Sequence, residues 1–201
     1  KIKVNFKKYN THKNFLILGE SGSGKSQILH RWKKLFKQHD YVMVCSTTGT
    51  FEEKASEGWF FNKPDVKMIW QFMEFVKKEN SKSKKVINGL IILDDCIGEG
   101  LYGKDIDRLG AISRHFNCTC FLILQYYYAC SPTFRQNSNI FLTEIKPAKY
   151  KLFENERRKW FMDEVEFKKA VEFVCKIPKT DKDKFRYSFY VVGHKFGVLK
   201  Y

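Results

Sequence analysis

The stretch Phe15-Leu-Ile-Leu-Gly-Glu-Ser-Gly-Ser-Gly-Lys-Ser26 decides the fold of this chain of 201 residues. Its apolar start is followed by a segment that matches G-x-x-x-x-G-K-[ST] at every fixed position. Apolar side chains then recur at helical spacing, at Ile28, Leu29, Trp32, Leu35 and Phe36. A buried strand, a glycine loop and a helix in this order predict a phosphate-binding loop, because the loop opens onto the helix N-terminus.

The predicted loop binds phosphate mainly through its backbone. Gly22 and Gly24 allow a tight wrap that turns successive N–H groups inward as an anion nest. The Lys25 ammonium is expected to reach the β- and γ-phosphates, and the Ser26 hydroxyl is expected to ligate Mg²⁺. The residues predicted to bind the nucleotide are Gly19, Glu20, Ser21, Gly22, Ser23, Gly24, Lys25, Ser26 and Gln27.

Strand and helix patterns alternate along the rest of the chain. Apolar runs predict strands over 15–18, 41–45, 90–93, 119–124 and 139–143, and helical periodicity predicts helices over 26–38, 65–78, 104–116 and 156–175. Residues 185–192 and 198–201 are predicted to form a hairpin. We therefore expect an α/β P-loop NTPase fold: a mainly parallel central sheet, helices on both faces and a C-terminal antiparallel hairpin at an edge. A single domain is expected over 1–201, with the motifs in 12–145 and a basic C-terminal helix and hairpin in 146–201.

A second motif lies where the apolar run Leu90-Ile-Ile-Leu93 ends in Asp94 and Asp95. We expect this strand to lie beside the phosphate loop, with Asp94 in the Mg²⁺ shell. Asp95 is then placed to orient or deprotonate the attacking water. Adjacent carboxylates repel each other, so a bound cation explains the pair. The alternative is a pair of helix-capping residues after a core strand.

The guanine-reading motif of GTPases is present only out of order. Asn62-Lys-Pro-Asp65 matches N-K-x-D, but it precedes Asp95-Cys-Ile-Gly98, the match to D-x-x-G, whereas it follows that motif in GTPases. We interpret residues 62–65 as a turn that starts a helix, since Asn, Pro and Asp favour turns and caps. ATP is therefore favoured over GTP.

Three further side chains follow the acidic pair. Gln125 ends the next predicted strand, so we expect it near the γ-phosphate at the shared carboxyl edge of the sheet. Arg114 precedes that strand and lies at the opposite end, where it could reach a nucleotide bound by a neighbouring subunit as an arginine finger. Its alternative is a helix C-terminal arginine paired with the helix dipole. Arg135 could contact a neighbour's phosphate or only structure its loop.

The net charge of +15 indicates a polyanionic partner, either nucleic acid or an anionic membrane surface. The excess lies in residues 1–40 and 146–201, while residues 41–145 are neutral. A hydrophobic content of 43% excludes a disordered tail, because the chain can bury a core.

The six cysteines give no zinc spacing and no C-x-x-C pair, and most of them sit in apolar runs. We expect them to be small buried hydrophobic residues in a reducing compartment. The N-terminus shows no signal-peptide pattern and the apolar runs are too short for a membrane-spanning helix, so we expect a protein that is not secreted and has no transmembrane segment.

Together these motifs resemble the FtsK–HerA superfamily of P-loop ATPases. The shared features are the G-E-S-G-S-G-K-S loop, the strand ending in Asp94 and Asp95, Ser113-Arg114-His115, the strand ending at Gln125, and Pro132-x-x-Arg135-x-Asn137. Within the superfamily, the chain is most similar to the compact genome-packaging ATPases of double-stranded DNA viruses of the poxvirus, giant-virus and virophage types. One difference is that cellular members usually carry Asp-Glu where this chain has Asp-Asp.

The resemblance implies a homo-oligomeric ring that uses ATP and Mg²⁺ to translocate double-stranded DNA into a preformed capsid, with capsid or portal-vertex proteins as partners. It implies a location in the host cytoplasm at the virus assembly site, in the virion, or both. Lys25 and Ser26 would contact phosphate and Mg²⁺, Asp94 would hold Mg²⁺ and Asp95 would be the catalytic carboxylate. Gln125 would sense the γ-phosphate, and Arg114 would be the finger in trans.

Two other function classes compete with a motor. The first is a nucleotide-dependent assembly or binding switch with a protein or membrane partner, for which aromatic residues among the C-terminal charges could form a docking face. The second is a small-molecule kinase, which is disfavoured because the sequence has no lid or acceptor-site signature.

Overall fold

The computed structural model describes residues 14–19, 21–31, 33–96, 103–126, 129–142, 165, 187–192 and 195–200. Its strands are β1 (Asn14–Leu18), β2 (Tyr41–Ser46), β3 (Phe60–Phe61), β4 (Gly89–Asp94), β5 (Cys118–Leu124), β6 (Ser138–Leu142), β7 (Tyr187–Val192) and β8 (Lys195–Lys200). Its α-helices are α1 (Lys25–Arg31), α2 (Lys33–Lys37), α3 (Val66–Lys82), α4 (Gly103–Ile112) and α5 (Pro132–Gln136). Short 3₁₀ turns cover Glu52–Lys54 and Ser113–Phe116.

These strands form one sheet in the order β3-β2-β4-β5-β1-β6-β7-β8. All neighbours from β3 to β6 are parallel, whereas β7 pairs antiparallel with β6 and β8 antiparallel with β7. The predicted α/β fold with a mainly parallel sheet is confirmed. Within the sheet β5 lies between β4 and β1, so the acidic strand is not the hydrogen-bonded neighbour of the strand that precedes the phosphate loop.

Helices cover both faces of the parallel sheet, as predicted. On one face, Phe15 and Ile17 of β1 pack in a core cluster with Ile28, Leu29 and Leu35 from α1 and α2. On the other face, the alternate residues Leu16 and Leu18 belong to a cluster that contains buried side chains of α3, α4 and α5. Strands covered on both faces have no polar face, which is why β4 contains the unbroken apolar run 90–93 and β5 the run 120–124.

Several helix boundaries differ from the sequence pattern. Within the predicted helix 26–38 the described residues are helical over 25–31 and 33–37, and the predicted helix 104–116 ends as α4 before a 3₁₀ turn that Asn117 closes with a φ of 54°. The turn before α3 is confirmed, because the Asp65 side chain accepts a hydrogen bond from the Lys67 N–H at 2.7 Å. The predicted helix 156–175 lies outside the described residues except for Val165.

Two short elements and the state of the cysteines complete the fold. The two-residue β3 and the five-residue α5 were not predicted. Five cysteines (Cys45, Cys96, Cys118, Cys120 and Cys130) are buried free thiols, and Cys175 lies outside the described residues. Among the residues described, no helix is both long enough and apolar enough to cross a membrane.

Candidate nucleotide-binding site

The phosphate loop leaves β1 and enters α1 through two left-handed glycines. Gly22 has a φ of 74° and Gly24 a φ of 86°, a conformation that other residues adopt only with strain. The start of the loop is tied to the sheet, because the Gly19 N–H donates to the Leu124 carbonyl at 3.2 Å. Lys25 is the first residue of α1. Glu20 lies outside the described residues.

An open pocket of about 330 Å³ lies over this loop. It is lined by Ser21, Gly22, Gly24, Lys25, Ser26, Gln27, Thr48, Thr50, Asp94 and Asp95. The structure therefore brings most of the predicted nucleotide-binding residues together with both predicted carboxylates. Two predicted residues, Gly19 and Ser23, are not in the lining, and Ser23 is buried. The convergence follows from topology, since the carboxyl ends of parallel strands meet at one edge of the sheet.

The charged groups of the pocket shift one another's protonation. Burial lowers the pKa of Lys25, and the negative charges of Asp95 and Asp94 oppose this effect. Burial and the neighbouring Asp95 raise the pKa of Asp94 to about 6, while Lys25 and the nearby hydroxyls of Ser46 and Thr50 oppose the rise. Desolvation thus raises the free energy of the ionised Asp94 carboxylate, and a bound cation would offset this cost. Such an environment is expected of a carboxylate that binds a cation.

Asp95 is fixed by its backbone and by the neighbouring strand. Its φ of 52° is left-handed, and its N–H donates to the Ile123 carbonyl at 3.1 Å. The Gln125 amide Nε2 donates to Asp95 Oδ2 at 3.0 Å. Because β5 lies between β1 and β4, Gln125 stands between the phosphate-loop strand and the acidic pair. This arrangement can hold the carboxylate in one orientation toward a water molecule in the pocket.

The two arginines lie away from this pocket. Arg114 is exposed in the 3₁₀ turn before β5, at the edge of the sheet opposite the phosphate loop. Arg135 is only 6% exposed in α5, and its Nη1 donates to the Cys130 carbonyl. A guanidinium buried against its own loop corresponds to the loop-structuring alternative for Arg135, since contact with a neighbour's phosphate requires an accessible side chain.

Sequence reasoning missed the hydroxyl side chains that follow β2. Thr48 and Thr50 line the pocket, and the buried Ser46 donates to Asp94 Oδ2 at 3.5 Å. The signal was the run Ser46-Thr-Thr-Gly-Thr50 directly after a buried strand, whose carboxyl end reaches the same edge as the phosphate loop. A hydroxyl-rich run with a glycine also describes an ordinary turn, so the pattern alone did not reveal the contact.

No family model matches the sequence, and no curated protein sequence matches it. Solved structures do match. The DNA-packaging ATPase B204 from Sulfolobus Turreted Icosahedral Virus is 16% identical with a TM-score of 0.63, over 95% of this chain and 98% of that one. The chain has the P-loop NTPase fold. The genome-packaging NTPase B204 of Sulfolobus turreted icosahedral virus 2, in complex with AMPPCP, matches at 13% identity and a TM-score of 0.64, over 94% of this chain and 97% of that one. EssC (ATPases 2 and 3) from Geobacillus thermodenitrificans matches at 12% identity and a TM-score of 0.60, over 94% of this chain and 39% of that one.

Proposed function

We propose that this protein is an ATP-driven motor that packages double-stranded DNA into a preformed viral capsid as a homo-oligomeric ring. The observation that carries the proposal is the pocket that joins Lys25 and Ser26 of the phosphate loop to Asp94 and Asp95. Support for the packaging role comes from the packaging NTPases that share its fold over nearly their whole length. The resemblance of the ordered motifs to packaging ATPases adds to that support.

The residues of the pocket fit a magnesium nucleotide. Mg²⁺ prefers oxygen ligands, often one or two carboxylates together with substrate phosphates, and Ser26 and Asp94 offer a hydroxyl and a carboxylate that line one pocket. In this proposal the loop N–H groups and Lys25 bind the phosphates, and Ser26 and Asp94 hold Mg²⁺. When bound, the ion neutralises charge on the β- and γ-phosphates.

Hydrolysis then depends on the second carboxylate. Asp95 orients the attacking water and accepts its proton, and the Gln125 amide keeps Oδ2 in place at 3.0 Å. In the same step Lys25 stabilises the negative charge that develops on the transferred phosphoryl group. Asp95 lines the pocket, and both Asp95 and its partner Gln125 are half-buried. Their hydrogen bond fixes the carboxylate before the reaction, which limits the reorganisation needed during it.

The charge of the chain supports a duplex-DNA partner. The net charge of +15 is concentrated in residues 1–40 and 146–201, which leaves the middle of the chain neutral. Basic segments attract the phosphate backbone independently of sequence, which suits a motor that moves along DNA of any sequence. We propose that the ring acts at the viral assembly site or in the virion, where capsid or portal-vertex proteins would receive it.

The test is ATP hydrolysis by the purified protein with and without duplex DNA. We expect stimulation by DNA that falls steeply with log[salt], because counterions are released on phosphate-backbone binding. Lys25→Ala is expected to lose hydrolysis, whereas Lys78→Ala, which removes an exposed lysine of α3, is expected to keep basal hydrolysis. An oligomeric sample that shows no stimulation at low salt would contradict the motor and favour an assembly switch.

The proposed role of Arg114 has its own test. Arg114→Ala subunits keep an intact pocket, and Lys25→Ala subunits keep an intact finger, so mixing the two forms tests action between subunits. If Arg114 acts in trans, mixed rings are expected to recover part of the hydrolysis that each variant lacks alone. Activity that equals only the sum of the two separate variants would contradict the trans role.

A further inference from the structure

Three hydroxyl side chains form a connected cluster at the carboxyl end of β2, and we call Ser46, Thr48 and Thr50 the hydroxyl cluster. The Thr48 hydroxyl lies 3.1 Å from that of Ser46 and 2.7 Å from that of Thr50. The Thr50 N–H donates to Ser46 Oγ at 3.1 Å. The three side chains therefore hold one another in place and do not rotate independently.

The hydroxyl cluster contacts the carboxylate assigned to the metal. Ser46 is fully buried and donates to Asp94 Oδ2 at 3.5 Å, and Thr50 lies beside Asp94 in the lining of the same pocket. Asp94 is only 4% exposed, so the Ser46 hydroxyl competes with little water for its oxygens. Each hydroxyl has one O–H to donate. With Ser46 donating to Asp94, Thr48 therefore donates to Ser46 and Thr50 donates to Thr48, so the cluster fixes one donor on the Asp94 carboxylate.

The backbone on either side of the hydroxyl cluster is also anchored, by strand pairing on one side and by core packing on the other. Ser46 is the last residue of β2 and pairs in register with Asp94 of β4. On the other side Phe51 is buried in the core with a left-handed φ of 69°, and its ring stacks on His30 with centroids 4.4 Å apart. His30 belongs to α1, the helix that begins with Lys25, so the cluster is fixed to both halves of the pocket.

We propose that Ser46 is a positioning residue that orients Asp94 toward the Mg²⁺ ion of the bound nucleotide, and that Thr48 and Thr50 fix the Ser46 hydroxyl. This inference rests on the magnesium-nucleotide part of the proposed function. Groups that hydrogen-bond to a metal ligand commonly change metal affinity by about 10–100-fold when they are removed. The phosphates themselves are held by the loop and by Lys25, so nucleotide binding without metal does not depend on the cluster.

The test separates metal-dependent from metal-independent nucleotide binding. The affinity of the full chain for an ATP analogue with a fluorescent methylanthraniloyl group is measured in EDTA and then during a Mg²⁺ titration. Ser46→Ala is expected to need about 10-fold more Mg²⁺ for half of the effect, with affinity in EDTA within about twofold of wild type. Thr48→Val and Thr50→Val are expected to change in the same direction by a smaller factor, because they act through Ser46.

Thr47→Val is the matched control, since Thr47 is exposed in the same segment and does not line the pocket. An unchanged Mg²⁺ requirement in both Thr50→Val and Ser46→Ala would overturn the inference. An equal loss of affinity in EDTA and in Mg²⁺ would also overturn it, because the cluster would then bind the nucleotide or maintain the fold. If the buried Ser46→Ala does not fold, Thr50→Val carries the test. A wild-type affinity that does not respond to Mg²⁺ would contradict the proposed function itself.

Discussion

Replacement of Asp94 by asparagine is expected to stabilise the metal-free protein at neutral pH while it abolishes magnesium-dependent hydrolysis. The side chain is 4% exposed, and burial together with the Asp95 charge raises its pKa from 3.8 to about 6. Asparagine keeps the shape of the side chain and an oxygen that accepts from Ser46. The substitution therefore removes the buried charge with little change in packing.

The size of the effect follows from the two pKa values. Each tenfold change in a protonation constant corresponds to about 1.4 kcal/mol, so the rise in the pKa of Asp94 costs the folded state about 3 kcal/mol. Below the pKa of Asp94 in the unfolded state, the carboxyl is protonated in both states, and the substitution removes no charge from either. As the pH rises between the two pKa values, only the unfolded state loses its proton and wild type loses stability. Above the folded pKa the full difference in favour of Asp94→Asn is present.

The assay is urea denaturation in EDTA, monitored by circular dichroism. It is repeated at a series of pH values from below the pKa of Asp94 in the unfolded state up to neutral pH. A difference of about 3 kcal/mol corresponds to a melting temperature higher by about 6–12 °C in a chain of this size. Glu57→Gln serves as a control, because it removes a carboxylate on the exposed surface. Equal stability at neutral pH, or a gain that does not depend on pH, would refute the reasoning.

Two further predictions concern Gln125 and the packing of α4. Gln125→Leu removes the donor to Asp95 Oδ2 and is expected to slow single-turnover hydrolysis by about 100-fold, with nucleotide affinity unchanged. An equal loss of affinity would mean that Gln125 only maintains the pocket. A Cβ atom on Gly110 would lie 2.6 Å from Cδ2 of the buried Phe134, so Gly110→Ala is expected to cost about 1–3 kcal/mol in urea denaturation. Gly103→Ala, where a Cβ atom meets nothing within 4 Å, is the control and should not be destabilised by a clash.

The sequence was most informative where local geometry determines the structure. The phosphate loop could be predicted because Gly22 and Gly24 supply the positive φ values that its turn requires. The strands β4 and β5 could be predicted because a strand covered on both faces has no polar side. The turn before α3 could be predicted because Asp65 satisfies a free N–H at the helix start.

Strand order and short elements could not be predicted from local patterns. Apolar periodicity identifies β4 and β5 as strands, but the choice of the strand that pairs with β1 depends on tertiary packing. The helix α5 spans five residues, too few for a periodic pattern. Its capping signal was present, since the Ser131 hydroxyl accepts from the Phe134 N–H at 3.2 Å.

The site was predicted in part for the same reason. Lys25, Ser26, Asp94 and Asp95 belong to contiguous motifs, and topology then brought the motifs together. The hydroxyl cluster is joined to Asp94 only through the parallel pairing of β2 and β4, which the sequence does not reveal. The exposure of Arg114 and the burial of Arg135 depend equally on tertiary packing.

The left-handed backbone of Asp95 gives a physical account of the aspartate at this position. A left-handed conformation costs most residues roughly 1–2 kcal/mol, and aspartate is among the side chains that adopt it most readily. At Asp95 the left-handed backbone places the carboxylate within hydrogen-bonding distance of Gln125, without the extra methylene of a glutamate side chain. Aspartate and glutamate are therefore not interchangeable at this position.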